Sequence, residues 1–93
     1  MRTISHFIWR KHALERMLQR NISRDEVIYC ILHGEEIESY PDDTPYPSLL
    51  VLEIGTQPLH IVIAIDDDVC YIITAYRPSN DEFENDYKTR KKR

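Results

Sequence analysis

Glycine, cysteine and long apolar runs are all scarce in this chain. Only two of the 93 residues are Gly, while 42% are hydrophobic and 30% are charged, so the composition is that of an ordered globular protein. No apolar run approaches the roughly 18 residues of a membrane-spanning helix, and the first residues lack the apolar core and cleavage site of a secretion signal. We therefore expect one domain over residues 1–93 that stays in the cytoplasm and contacts no membrane.

The few cysteines and histidines show no ligand pattern. Cys30 and Cys70 are far apart in the sequence, each has apolar neighbours, and neither belongs to a Cys-x-x-Cys or Cys/His motif. We expect two reduced, buried thiols. The four histidines have no metal-ligand spacing either, so we expect no metal and no cofactor.

Charge is divided unevenly along the chain, although the net charge is only −4. Residues 1–33 carry six basic and three acidic groups, residues 34–87 carry one basic and thirteen acidic, and residues 88–93 carry five basic and none acidic. Exposed charges are screened beyond about 8 Å at physiological salt. A basic face can therefore bind phosphate even on an acidic protein.

Two helices are predicted in the first third of the chain. The segment Arg10 to Arg20 has no Gly, Pro or β-branched residue, which favours a helix. With helical periodicity, the apolar residues of this segment fall on one face and several basic residues fall along the edge of that face. The apolar face consists of Ala13, Leu14, Met17 and Leu18, and the edge carries His12, Arg16 and Arg20 at successive i, i+4 steps.

The second helix has a clear start and end in the sequence. Ser23 to Glu26 has the pattern of a capping box, with Ile22 and Val27 in the positions of a hydrophobic staple. Gly34 predicts a left-handed stop. The core face of this helix is predicted to comprise Val27, Ile28, Ile31 and Leu32.

The remaining chain predicts strands and then a short helix. Period-two patterns and Val, Ile and Tyr enrichment indicate four strands, at residues 36–40, 49–54, 59–65 and 69–76. A Pro-rich acidic loop, Tyr40 to Pro47, joins the first two. Asp81 to Arg93 is acidic first and basic last, the order that a helix dipole prefers, so a short C-terminal helix held by Phe83 and Tyr87 is expected. The predicted fold is α+β, with two N-terminal helices packed on an antiparallel sheet of about four strands.

Several segments together resemble a known family. They are HALERM (12–17), YPDD (40–43), PLHIVIA (58–64) and ITAYRP (73–78). This ordered set is similar to the bacterial family called domain of unknown function 4258. That family in turn resembles the small metal-independent RNases that include RelE-type and MqsR-type toxins, and the resemblance implies a RelE-like fold with a curved sheet. It also implies a messenger-RNA interferase of a type II toxin-antitoxin pair, held in check by a partner antitoxin.

The resemblance assigns roles that the residue chemistry can fulfil. RNA scission without a metal requires a base for the ribose 2′-hydroxyl, positive charge at the phosphate and a proton for the leaving oxygen. His12, Arg16, Arg20 and Tyr76 are the predicted catalytic residues, and Thr74 and Arg77 are predicted to bind the RNA substrate. The products would carry a 2′,3′-cyclic phosphate and a 5′-hydroxyl.

Two alternatives stay open at the level of sequence. Arg16 and Arg20 could simply pair with nearby carboxylates, where an exposed pair contributes about 0 to 1 kcal/mol. The chain could also be a non-catalytic interaction module that binds a basic partner through its acidic surface, either the loop Tyr40 to Pro47 or a sheet edge.

Overall fold

The computed structural model describes residues 4–55 and 57–92. Within these residues the chain forms two helices and five strands, which follow one another in this order: β1 (His6–Trp9), α1 (Lys11–Gln19), α2 (Arg24–His33), β2 (Glu35–Tyr40), β3 (Ser48–Glu53), β4 (Leu59–Asp66) and β5 (Val69–Tyr76). The bounds of α1, α2 and β2 to β5 agree with the predicted bounds to within about one residue at each end.

The predicted arrangement of these elements is wrong, because the sheet has five strands and is mixed. Its strand order is β1-β5-β4-β3-β2, and β1 runs parallel to β5 while all other pairs are antiparallel. The first strand comes from residues that were predicted to lead into a helix. Phe7 and Trp9 pack against the core, and the residues between and before them face solvent, as the period of a strand requires. The helices therefore follow a strand and do not begin the fold.

Both helices pack on one face of the sheet. Ala13 and Met17 of α1 and Val27 and Cys30 of α2 are buried there. They meet inward-facing residues of β3, β4 and β5, namely Val51, Leu59, Ile61, Ile63, Cys70, Ile72 and Ala75. Two residues predicted to lie in the core do not, because Leu18 is 85% exposed and Leu32 is 54% exposed.

The capping box that predicted the start of α2 is confirmed. The Ser23 hydroxyl accepts a hydrogen bond from the Glu26 backbone N–H, and the Glu26 carboxylate accepts one from the Ser23 N–H. Ile22 and Val27, the predicted staple, are both buried. The stop at Gly34 has another cause than the one predicted, since its φ is −78°. A Cβ there would lie 2.4 Å from the Cys30 carbonyl oxygen and 2.7 Å from that of Leu52, so Gly is required by close packing.

The predicted C-terminal helix is also wrong. Residues 77–92 form an irregular segment that crosses the sheet face opposite the helices, and Arg93 lies outside the described residues. Phe83 is buried in it and bridges to Arg90 in antiparallel fashion. The Asp86 carboxylate accepts hydrogen bonds from the backbone N–H groups of Lys88 and Thr89, and these bonds lower the Asp86 pKa to about 2. Such a local turn competes directly with helix formation.

Neither helix in the described part of the chain has the length and apolar character needed to cross a membrane.

Candidate nucleic-acid interface

The first part of the candidate site is a pair of side chains on the outer edge of α1. His12 and Arg16 lie one helical turn apart, where i, i+4 neighbours meet. The Arg16 Nε–H donates to His12 Nε2 at 3.3 Å, and the Arg16 Nη1 donates to the Gln19 side chain at 3.2 Å. Because a guanidinium can only donate, His12 Nε2 is the nitrogen without a proton. The edge thus presents an imidazole and a guanidinium in contact, with the lone pair of His12 Nε2 accepting from Arg16.

The second part begins where α1 ends. Arg20, an exposed residue, donates from Nη1 to the Ala75 carbonyl of β5 at 2.8 Å. The parallel strand β1 pairs with β5 only as far as Ile72. Arg20 therefore supplies a donor to the edge of β5 beyond the end of β1, and this contact fixes the end of α1 against the end of β5.

A solvent-open cavity of about 350 Å³ lies at this junction. It is lined by Arg20, Tyr76, Arg77, Pro78, Ser79, Glu82 and Phe83. Three of the six predicted site residues thus surround one cavity. His12, Arg16 and Thr74 are not among its lining residues, and His12 precedes Arg20 by eight residues, or about 12 Å along the helix axis. Five of the predicted residues therefore form two groups, His12 with Arg16 and Arg20 with Tyr76 and Arg77, and Thr74 belongs to neither.

The arginines of these groups differ in how far their charge is compensated. Arg77 donates to the Glu26 carboxylate at 2.6 Å and to the Gln57 carbonyl at 3.4 Å. The hydrogen bond from Arg77 lowers the pKa of Glu26, which is therefore ionised at neutral pH. Among the residues that the structure describes, neither Arg16 nor Arg20 makes an ion pair. The pairing of Arg16 and Arg20 expected in the alternative interpretation is not found among the described residues, whereas Arg77 is paired with Glu26.

Tyr76 is held by a polar network that the sequence did not reveal. Its hydroxyl lies 3.0 Å from Nδ1 of His60, and His60 Nε2 lies 2.7 Å from the Tyr87 carbonyl oxygen. A carbonyl oxygen only accepts, so Nε2 carries the proton and Nδ1 accepts from the Tyr76 hydroxyl. Burial raises the pKa of Tyr76 and lowers that of His60. The Tyr76 hydroxyl is therefore turned inward, and its ring is the part that lines the cavity.

Thr74 lies on the same face of β5 as Tyr76, as their spacing predicts. Thr74 is paired with Val62 of β4 and Tyr76 with His60. Thr74 is half-buried on the face that the C-terminal segment crosses. It is separate from the α1 edge, which packs on the opposite face.

The C-terminal segment supplies site residues that sequence reasoning missed. Ser79, Glu82 and Phe83 line the cavity. The Phe83 ring meets His60 edge-on at 4.7 Å between centroids, and the Arg90 guanidinium lies 4.8 Å from the Phe83 centroid. One signal was available, because Phe83 and Tyr87 are the only large apolar residues after Tyr76.

The same segment neutralises part of the acidic surface. Arg90 donates from Nε and Nη2 to the two oxygens of Glu38 at 2.7 and 3.0 Å, and Lys88 pairs with Glu35 at 3.3 Å. The Arg90 hydrogen bond lowers the pKa of Glu38. The basic end of the chain is thus used to hold the acidic strand β2.

The acidic Pro-rich loop packs at the other end of the sheet, near the β4–β5 hairpin. Tyr46 stacks on Tyr71 with 5.5 Å between ring centroids. The Ser48 hydroxyl donates to Asp43. The negative charge of Asp66 raises the pKa of Tyr46. This loop is therefore attached to the sheet by its own side chains.

No group of three or more His, Cys, Asp or Glu side chains within residues 4–55 and 57–92 is arranged to hold a metal ion. The two cysteines are free thiols and are buried. Burial raises the pKa of Cys30 to about 12, so this thiol is not a nucleophile at neutral pH.

Comparison with known proteins gives one match. The family described as "Domain of unknown function (DUF4258)" matches residues 9–77. This range includes α1, α2 and β2 to β5 but stops before the C-terminal segment. No curated protein and no solved structure matches the chain.

Proposed function

The chain belongs to this family of unknown function, DUF4258, and we propose that it is a cytoplasmic, metal-independent endoribonuclease that cleaves messenger RNA as the toxin of a type II toxin-antitoxin pair. The observation that supports the proposal most is the contact between His12 and Arg16 on an exposed helix edge. An imidazole in contact with an arginine that makes no ion pair with the described residues is a suitable arrangement for a base and a phosphate ligand.

In the proposed reaction the 2′-oxygen of a ribose attacks the adjacent phosphorus. Arg16 first exchanges its bond to His12 Nε2 for a bond to the phosphate, and Nε2, whose lone pair is thereby freed, takes the proton from the 2′-hydroxyl as the new O–P bond forms. Arg16 holds the non-bridging oxygens, on which negative charge accumulates, with the paired N–H groups of its guanidinium. The bond to the 5′-oxygen breaks, and that oxygen takes a proton from solvent at this exposed edge. The products are a 2′,3′-cyclic phosphate and a 5′-hydroxyl.

The cavity at the end of β5 would bind the neighbouring part of the RNA strand. Arg20 keeps donors free after its bond to the Ala75 carbonyl, because a guanidinium has five N–H groups. The Tyr76 ring can stack on a base, while its hydroxyl remains bonded to His60. Arg77 adds positive charge to the cavity wall, although Glu26 compensates part of it. Thr74, on the same face of β5 as Tyr76, is proposed to bind the RNA as the resemblance implies, although it does not line this cavity.

The support for this proposal comes from side chains and from the resemblance of short segments. The fold expected of RelE-type toxins, with four antiparallel strands and a C-terminal helix, is not the fold observed. The antitoxin partner is proposed from the resemblance.

The direct test is cleavage of a single-stranded messenger RNA by the purified chain, with and without EDTA. We expect cleavage in both conditions, with 2′,3′-cyclic phosphate ends. Loss of the base in His12→Ala should reduce the rate by about 10²- to 10⁴-fold, and Arg16→Ala should reduce it strongly as well. The matched controls are His33→Ala and Lys91→Ala, which change the same kinds of side chain at exposed positions elsewhere.

Two further measurements separate this function from a non-catalytic module. Expression without a partner should arrest growth, and folded His12→Ala protein should not. RNA binding should weaken with salt with a log-log slope of about −0.7 per phosphate contact, hence about −2 for three arginines. Cleavage that is equal in the His12 variant and the parent, or no cleavage of any RNA together with a salt-independent complex, contradicts the proposal.

A further inference from the structure

Helix α2 carries apolar side chains on its outer surface as well as on its inner surface. Val27 and Cys30 face the core and are fully buried. Tyr29 and Leu32 lie on the outer side, at i and i+3, and are 56% and 54% exposed. The Tyr29 ring also packs on His33, with 4.5 Å between centroids. A helix that is apolar on two sides is usually covered on both, so the outer face of α2 is incomplete in the isolated chain.

A groove runs beside Tyr29 of this face, and Leu32 is not among its lining residues. It has a volume of about 720 Å³, within the range of protein ligand sites, and we name it the α2 groove. Leu59 and the Tyr29 ring form its apolar part, and Asp25, Glu26, Glu53 and Arg77 form its polar rim. Ile54, which follows Glu53 directly, is 51% exposed and extends the apolar surface beyond the groove.

The charge of the rim is negative. Three carboxylates face one guanidinium, which gives 1 − 3 = −2. Arg77 is already paired with Glu26 at 2.6 Å. Asp25 and Glu53 make no ion pair with any residue in the described ranges, although Glu53 accepts a hydrogen bond from the Gly55 N–H at 3.0 Å. Asp25 and Glu53 are therefore two lining carboxylates that have no ion-pair partner among the described residues.

We propose that the α2 groove is a docking site for a partner protein that inserts an apolar side chain flanked by Lys or Arg. The apolar side chain contacts Tyr29 and Leu59, and the flanking cations pair with Asp25 and Glu53. Nucleic acid does not fit this surface, because its phosphates would meet the carboxylates. A second copy related by a two-fold axis does not fit either, since both sets of carboxylates would meet in the same interface. The two proposed sites share Arg77, which lines both the α2 groove and the cavity at the end of β5. Tyr29, Asp25 and Glu53 line only the groove, so variants at these positions test docking separately from RNA cleavage.

The test uses a synthetic peptide of 14 residues as the probe. It carries Leu at helical spacings of three and four with Lys and Arg at the other positions, and a matched peptide has Glu in place of every Lys and Arg. Binding to the full chain is measured by fluorescence anisotropy. The basic peptide is expected to bind and the acidic peptide is not. Tyr29→Ala should weaken binding about tenfold, which corresponds to about 1.4 kcal/mol.

A charge-matched pair of double variants distinguishes docking from general attraction. Asp25→Asn with Glu53→Gln removes two charges at the groove and should weaken binding about tenfold. Asp42→Asn with Asp67→Asn removes two charges at the far end of the sheet and should leave binding unchanged. Circular dichroism verifies that each variant is folded, since Asp25, Asp42 and Asp67 are exposed and Glu53 is half-buried.

Several results overturn the proposal. They are equal weakening by the two double variants, equal binding of the basic and acidic peptides, and no binding of the basic peptide. Light scattering supplies a separate check, because a stable dimer that Tyr29→Ala dissociates would identify a second copy of the chain as the occupant.

Discussion

Acidification should destabilise this protein through His60. The imidazole is fully buried, donates to the Tyr87 carbonyl and accepts from the Tyr76 hydroxyl, and is therefore held in its neutral form. Burial lowers its folded-state pKa below the ordinary value of 6.5, although the Tyr87 carbonyl and the negative charge of Glu38 act in the opposite direction. We therefore expect the stability that the C-terminal segment gains from its contact with His60 to depend on pH.

The direction in which the free energy of unfolding changes with pH depends on whether the folded or the unfolded state binds the proton more tightly. Below pH 6.5 the unfolded chain protonates this histidine and the folded chain does not, so the free energy of unfolding decreases as pH falls. The contribution of neutral His60 to stability is fully present above pH 6.5. It is lost as the pH falls from 6.5 to the lowered folded-state pKa of His60. For one proton the loss is at most about 1.4 kcal/mol per pH unit.

The assay is urea unfolding of the parent and of His60→Gln at pH 7.5 and pH 5.5. Glutamine can still donate a hydrogen bond towards Tyr87 but cannot become charged, so the variant should lose less stability between the two pH values. His33→Gln, at an exposed position, is the control and should behave like the parent. Equal pH dependence in the parent and His60→Gln would show that the buried imidazole does not carry the effect. Glu26, Glu38 and Asp86 titrate at lower pH, because their folded-state pKa values are lowered from ordinary values near 4.

Three stability predictions test other parts of the fold by the same urea unfolding. Phe83→Ala should cost about 3–5 kcal/mol because it empties a buried site under the C-terminal segment, and a cost below about 1 kcal/mol would show that this segment does not contribute to folding. Ser23→Ala should cost about 1 kcal/mol by removing the cap of α2, whereas Ser39→Ala on an exposed strand position should cost almost nothing. Gly34→Ala should lower the free energy of unfolding, because the Cβ of the alanine would overlap two backbone carbonyls. An unchanged free energy of unfolding would mean that the backbone around position 34 can shift to make room.

The distribution of charge along the chain becomes understandable once the C-terminal segment is placed. The basic residues at the end do not form a free tail over their whole length, since Lys88 and Arg90 pair with carboxylates of β2. Arg16 and Arg20, by contrast, make no ion pair with the described residues. Positive charge available for a phosphate therefore lies on α1, and the available negative charge includes the rim of the α2 groove.

Some of the site could be predicted because it depends on neighbours in sequence. The i, i+4 spacing of His12 and Arg16 is a property of any helix, and the two side chains do meet. The position of Arg20 relative to β5 could not be predicted in the same way, because its partner Ala75 is 55 residues away. Arg77 and Glu26, separated by 51 positions, are paired for the same kind of reason.

Local sequence determined the positions of α1, α2 and β2 to β5, because capping residues, helical periodicity and strand alternation act over a few residues. Only the tertiary structure decided that residues 6–9 form a fifth strand, that residues 77–92 cross the sheet without a helix, and that the Tyr76 hydroxyl turns inward to His60. Phe7, Ile8 and Trp9 are residue types that favour strands, but a segment of four residues is too short to form a strand alone, and it does so because the edge of β5 offers hydrogen bonds. The weak helical tendency of the C-terminal segment is likewise outweighed by the burial of Phe83 and the ion pairs of Lys88 and Arg90.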